Sequence, residues 1–278
     1  MTQNKYAPME LTAADDNSIK IIQITDSHIF AGSDGKLLGL ETRKSFEAVI
    51  ERVKNESFKA DLILATGDLA QDASIEAYQY LLEQLQSLAA PCFCIPGNHD
   101  DAALLRAELT GNNVFTDNHL VIGDWQVVLL DTSVSKKVYG EVKEHELAQL
   151  GRVIEAYPDK HLLTVMHHHP VATGSDWLDG IGIQNAEQLF AEVANNQTET
   201  CFLWGHVHQD FVGEQNGVKL ISTPSTCVQF KPKSKDFSAG DESPGYRCIT
   251  LHSDGRVDTV LHRINDIEFT VDYSIKGY

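Results

Sequence analysis

IKIIQITDSH, residues 19–28, decides the fold. Its isoleucine-rich first half, free of Gly and Pro, predicts a buried strand, and an Asp-x-His pair, Asp26 and His28, follows at once. The same grammar recurs along the chain. ADLILATGD (residues 60–68) ends on Asp68, and PCFCIPGNHD (residues 91–100) carries Asn98 and His99. HLLTVMHHHP (residues 161–170) delivers His167, and TCFLWGHVH (residues 200–208) delivers His206 and His208. Helical periodicity fills the gaps: RKSFEAVIERVK (residues 43–54), residues 74–89, DDAALLRAEL (residues 100–109, with acidic caps), residues 142–156 and NAEQLFAEVAN (residues 185–195).

Strand and helix in alternation predict βαβ units and an α/β fold. HLVIGDWQVVLLDT, residues 119–132, reads as a hairpin turning at Gly123-Asp124, and residues 209–269 read mostly as strands joined by turns such as QNG and SDG. Two facing mixed sheets with helices outside accommodate both halves. Residues 1–17 are expected to be a loose polar arm, 18–270 one domain, and 271–278 a tail.

Charge narrows the functional classes. The net charge of −18 disfavours nucleic acid and anionic lipid as partners, and the basic run KPKSK (residues 231–235) reads as a solvated loop. The N-terminal segment lacks the apolar stretch of a signal peptide, and no run approaches a membrane span, so the cytoplasm is expected. No protein partner is implied. Five cysteines without regular spacing argue for packed, reduced thiols, with Cys92 and Cys94 sharing one face of a strand.

Ligand-type residues at the carboxyl ends of five strands are the informative feature, because α/β sheets bind ligands there. Carboxylates, an amide oxygen and imidazoles together suit hard or borderline divalent ions. A lone Asp-x-His or Gly-Asp is commonplace, but all five in order are not. The series D-x-H, G-D, G-N-H-D, H and G-H-x-H resembles the calcineurin-like metallophosphoesterase superfamily. With QITDSH, ATGDLAQD, PGNHD, HHHP, TPSTCVQFKP and PGYR it is most similar to the bacterial 3′,5′-cyclic-AMP phosphodiesterases, the class III cyclic nucleotide phosphodiesterases.

The resemblance implies a four-layer α/β/β/α sandwich and two divalent metal ions, iron or manganese favoured and zinc also compatible. Asp26, His28, Asp68 and His208 would hold the first ion; Asp68, Asn98, His167 and His206 would hold the second, with Asp68 bridging. His168 is the next candidate, although strand alternation would turn it away, and His169 reads as rim. Such a pair gives an acidic protein the local positive charge a phosphate requires. The implied reaction is hydrolysis of 3′,5′-cyclic AMP to 5′-AMP by a metal-bound hydroxide, lowering intracellular cyclic AMP, with His99 as general acid for the 3′ oxygen. The phosphate would lie against His28, Asp68, Asn98, His99 and His208. Asp72 or Asp100 either orients His99 or serves a helix N-terminus. Trp177 and residues 222–232, with Cys227, Gln229 and Phe230, are candidate pocket walls. Alternatives are a glycerophosphodiester, a 2′,3′-cyclic nucleotide, a phosphomonoester, or a non-catalytic binding module, the last disfavoured by the complete ligand set.

Overall fold

Alternation along one strand sets the layers. In the computed structural model, which describes residues 8–15 and 17–277, the strand Ser18–Ile24 sends Ile19 and Ile21 to one face and Ile22 and Ile24 to the other. In chain order the first elements are β1 (Met9–Leu11), β2 (Ser18–Ile24), β3 (Lys36–Leu37), β4 (Leu40–Glu41), α1 (Thr42–Lys54), β5 (Leu62–Thr66), α2 (Ile75–Gln86) and β6 (Cys92–Ile95). Then come α3 (Ala102–Glu108), β7 (Val114–Phe115), β8 (His119–Ile122), β9 (Trp125–Leu129), α4 (Glu144–Ala156), β10 (His161–Val165) and α5 (Asp176–Asp179). The last are α6 (Ala186–Val193), β11 (Thr200–Trp204), β12 (Phe211–Gln215), β13 (Val218–Ser222), β14 (Gly245–His252) and β15 (Val257–Arg263).

One sheet runs β15-β14-β2-β5-β6-β7, the other β1-β8-β9-β10-β11-β13-β12, and both mix parallel with antiparallel pairs. Period-two side chains sort into three cores. Leu62 and Leu64 of β5, Phe93 of β6 and Leu203 of β11 meet between the sheets. Ile63, Cys92 and Cys94 face α1 and α2 outside the first sheet, while Phe202 and Trp204 face α4 and α6 outside the second. Fully burying such a side chain contributes about 1.5–3 kcal/mol. The result is the expected four-layer α/β/β/α order. Local signals agree: Ser74 caps α2 by accepting from the Ala77 N–H, and Asp101 caps α3 by accepting from Ala103 and Leu104. All five cysteines are free and buried.

Two expectations are corrected. Residues 9–11 of the supposed loose arm form β1, which pairs parallel with β8 and becomes the edge of that sheet while Met9 and Leu11 cover the inter-sheet core. Pairing satisfies edge backbone groups that period-based reading of so short a segment misses. Of the rest of that arm, residues 1–7 and 16 lie outside the described residues, and the others form no strand or helix apart from Asp15 bridging to Ser18. Residues 223–244, expected to be largely strand, form no named strand. Thr223, Ser225, Thr226, Cys227, Val228, Gln229 and Phe230 are nevertheless buried, because their hydrogen bonds go to loops at the carboxyl ends of the strands. Among the described residues no helix is long and apolar enough to cross a membrane.

Candidate metal centre

β2, β5 and β6 of one sheet and β10 and β11 of the other end at a common rim. Their loops are zipped together before any side chain is considered. The Asp26 N–H donates to Gly67 O at 3.0 Å, His28 N–H to Asp68 O at 2.9 Å, and Gly205 N–H to His167 O at 3.2 Å. Close approach fixes the glycines. A Cβ on Gly205 would stand 2.6 Å from Asp26 Oδ2, and one on Gly97 would overlap the Asp68 carboxylate. Asp26, His28, Asp68, His206 and His208 all adopt positive φ, between 47° and 63°. A side chain in that region costs on the order of 1 kcal/mol or more, and such strain concentrates at functional sites.

Three imidazoles are tied off on the same nitrogen. His28 Nδ1 bonds Gln71 Oε1 at 2.5 Å, His167 Nδ1 bonds Thr66 O at 2.9 Å, and His208 Nδ1 bonds Val228 O at 2.6 Å. The two carbonyls only accept, so Nδ1 carries the proton and Nε2 offers its lone pair inward. His28 Nε2 and His208 Nε2 then face each other at 3.2 Å, and His208 Nε2 lies 3.3 Å from Asp26 Oδ1. Asp68 Oδ2 is 3.2 Å from His167 Nε2 and 4.0 Å from His28 Nε2, placing it between the two groups. Facing acceptors at these distances repel unless a proton or cation lies among them. The spacing suits neighbouring ligands on one ion at ~2.1 Å.

The buried polar accounting points the same way. Asn98 Oδ1 and both ring nitrogens of His206 are buried without a hydrogen-bond partner, while Asp68 Oδ2 and His167 Nε2 face each other. An unmet buried group costs about 1–3 kcal/mol, so the residues present fit a divalent cation. Electrostatics reflect the crowding. Burial pushes His28 down to about 3 despite Asp68. His167 is also buried, but the Asp68 carboxylate overrides that and raises it to about 9.

The remaining candidates sort by position. His99 lies at the half-exposed mouth, its N–H donating to Asp68 Oδ1 at 2.9 Å and its ring 5.1 Å edge-on from His28. Asp100 accepts from the N–H groups of Gly97, Leu69 and Ala70 and from the Tyr78 hydroxyl, so it staples two loops. Burial, then Asp68, raises its carboxyl to about 6. Asp72 accepts from the Ala31 and Ser74 N–H groups at the start of α2. Asp72 therefore matches the helix N-terminus alternative, whereas Asp100 does not, since Asp101 caps α3. His168 is not turned away: its ring stands 4.9 Å from His167 and 4.7 Å from His206, with Nδ1 on Thr132 Oγ1 at 2.8 Å. Alternation fails because β10 stops at Val165, before the histidines. His169 stacks on His206 at 5.5 Å.

Residues 223–230 strap the rim from behind. Ser225 Oγ donates to Asp26 O at 2.7 Å, Thr226 N–H donates to Thr25 O at 3.0 Å, and the Phe230 ring stacks on His208 at 4.0 Å and 8°. Trp177 supports Phe230 edge-on at 5.2 Å and donates to Ser234 Oγ, so it props the strap. Sequence reading missed Gln71, although it stands immediately before Asp72 in the quoted TGDLAQD motif. It also missed the carbonyls of Thr66 and Val228, which carry no side-chain signal.

A four-layer sandwich with imidazoles and carboxylates converging at the strand ends defines a dimetal phosphoesterase frame. The sequence profile described as calcineurin-like phosphoesterase matches residues 19–210, and the chain belongs to that family. It is 42% identical over 267 residues to the 3′,5′-cyclic adenosine monophosphate phosphodiesterase CpdA of Pseudomonas aeruginosa, covering 96% of this chain and 98% of that one. Against the protein of the same name from Escherichia coli K12, identity is 40% over 271 residues, covering 97% and 98%. A dimetal phosphatase from Danio rerio shares the fold at a TM-score of 0.61 and 16% identity, covering 88% of this chain and 98% of that one. The family uses a dinuclear metal centre, and the His/Asp groups of the rim are the candidates for it.

Proposed function

We propose that this chain hydrolyses 3′,5′-cyclic AMP to 5′-AMP at the rim. The observation that carries the reading is the set of inward Nε2 atoms of His28, His167 and His208, each with its Nδ1 tied off, around Asp26 and Asp68. The substrate follows from the near-full-length relatives, whose names specify cyclic AMP. Asp26, His28, Asp68 and His208 would hold one divalent ion and Asp68, Asn98, His167 and His206 the other, with iron or manganese favoured over zinc. When bound, the pair acidifies a water and polarises the phosphoryl oxygens.

The chain's own groups do the rest. His28, Asp68, Asn98, His99 and His208 surround the phosphate, and His99, at the mouth, donates the proton that the 3′ alkoxide needs to leave. A cleft of about 760 Å³ opens from Asn98 between Asp101 and the loop bearing Ser133 and Lys136, and it accommodates the nucleoside. One domain over residues 18–270, acting in the cytoplasm on a small nucleotide without nucleic-acid, membrane or protein partners, is part of this reading.

The test is metal-free protein reconstituted with Mn²⁺ or Fe²⁺ and assayed on 3′,5′-cyclic AMP, 3′,5′-cyclic GMP, 2′,3′-cyclic AMP, AMP and an aryl phosphodiester, with a chelated control. Metal-dependent turnover should be greatest on 3′,5′-cyclic nucleotide, and faster release of phosphate from AMP would refute the proposal. His99→Ala should keep both ions and lose about 10²–10⁴-fold on cyclic AMP, with a smaller loss on the aryl diester, whose leaving group needs no proton. Equal losses would remove His99 from the acid role.

A further inference from the structure

Far from the rim residues in sequence, Glu56, Cys248 and His262 bring a carboxylate oxygen, a thiol sulfur and a ring nitrogen within 4.8 Å of one another. They come from separate elements: the turn after α1, β14 and β15. Register explains the meeting. Tyr246 is paired with His262 across the antiparallel ladder, so both side chains take one face, and Cys248, two residues along β14, takes it too. That face packs beneath α1, where Cys248 is 3% exposed.

Tyr246 pre-orients the other donors. Its hydroxyl donates to Glu56 Oε2 at 2.7 Å, and its ring stacks on His262 at 5.0 Å and 7°. The first of these bonds holds the Glu56 carboxyl below its ordinary range, so it is ionised at neutral pH. His262 Nδ1 lies 3.6 Å from the same oxygen, near the separation of two donors on one tetrahedral ion at ~2.0–2.1 Å.

We propose that Glu56, Cys248 and His262 form a second, independent metal site for a zinc-class divalent ion, with water as the fourth ligand. One thiolate, one imidazole and one carboxylate suit zinc or cobalt and disfavour magnesium and calcium. Binding forms the sulfur–metal bond as the Cys248 thiol releases its proton to solvent. The ion would then cross-link the end of α1 to the β14–β15 hairpin.

Cobalt reports this site selectively, because no rim candidate supplies sulfur. Metal-free full-length protein titrated with Co²⁺ should develop a thiolate-to-cobalt charge-transfer band in the near ultraviolet whose final amplitude corresponds to one thiolate-bound cobalt per chain, whatever the rim also takes up. Zn²⁺ should bleach it, and Cys248→Ser should abolish it while rim binding persists. Loss of a direct ligand in His262→Ala or Glu56→Gln should weaken the cobalt affinity read from the band by at least ~10–100-fold, the effect that loss of a supporting partner already has. No band at cobalt saturation overturns the proposal, as does an unchanged band in Cys248→Ser. If Cys248→Ser does not fold, Glu56→Gln decides: a weakened band supports the site and wild-type affinity refutes it.

Discussion

Replacing Phe230 with Ala separates the two sides of the rim. The Phe230 ring is 1% exposed and lies flat on His208 at 4.0 Å, backed by Trp177 at 5.2 Å and Phe237 at 5.4 Å. Truncating a buried Phe to Ala costs about 3–5 kcal/mol of stability, so Phe230→Leu, which retains most of the volume, is the companion variant. The effect on His208 is separate from that cost. Its Nδ1–H bond to Val228 O fixes the tautomer and persists, but the ring loses the surface that prevents rotation. Loss of such support typically lowers metal affinity by about 10–100-fold, equivalent to ~1.4–2.7 kcal/mol. Only the ion sharing Asp26, His28 and His208 should weaken, because the Phe230 ring lies flat on His208 while His167 is fixed separately through Thr66 O. Calorimetric titration of metal-free protein with Mn²⁺ should show one weakened and one unchanged binding step in Phe230→Ala, with Phe230→Leu intermediate. Two wild-type steps in a folded Phe230→Ala protein would refute the positioning argument, and equal weakening of both would indicate general loosening instead.

Asp68→Ala should leave less than one equivalent of tightly held metal, since both candidate ligand sets use Asp68; elemental analysis showing two full equivalents would end its bridging role. Asp100→Asn should cost about 1–3 kcal/mol in denaturant unfolding, because one of the two oxygens that together serve three N–H groups and the Tyr78 hydroxyl is lost as an acceptor. Its ratio of turnover on cyclic AMP to turnover on an aryl diester should stay at the wild-type value, and a shifted ratio would restore Asp100 as the group orienting His99. Glu146 is raised to about 7 by burial and then by Asp131, with Lys143, Arg106 and His145 nearby acting less strongly. A raised carboxyl pKa costs stability that is absent below about 4.5, grows as pH rises and is complete above about 7. Glu146→Gln should therefore raise the melting temperature at pH 8 and not at pH 4, by an energy bounded at about 3 kcal/mol; an equal change at both values contradicts the burial penalty.

Legibility followed locality. The layers were readable because isoleucine, leucine and aromatic residues alternate in β2, β5, β6, β10 and β11, and each strand announces its end with a turn and a polar residue. The candidate ligands were readable for the same reason. The second half of the site was not. Val228 and Thr66 contribute carbonyls, which every residue possesses, so no letter marks them. The strap has no period because its hydrogen bonds go to separated elements, Ser225 Oγ donating to Asp26 O, Thr226 N–H to Thr25 O, and Ser45 of α1 to Thr226 O. The orientation of His168 depended on where β10 stops, a boundary that composition leaves uncertain by a few residues.

The left-handed backbone at Asp26, His28, Asp68, His206 and His208 is the deepest of these hidden terms. Nothing in an Asp or His residue requires positive φ, and each such residue costs stability relative to an ordinary loop. The same residues place two carboxylates and inward lone pairs together without solvent, in a chain of net charge −18. Backbone strain, lost hydration and mutual repulsion all oppose the arrangement, and in the metal-free chain apolar packing elsewhere must offset them. A bound cation reverses the sign of the lone-pair repulsion, satisfies the orphaned oxygens and nitrogens, and attracts the anionic substrate. Metal binding and closure of the rim loops are thus one equilibrium. The energy that holds five ligands in a strained backbone is linked to the ions those ligands would hold.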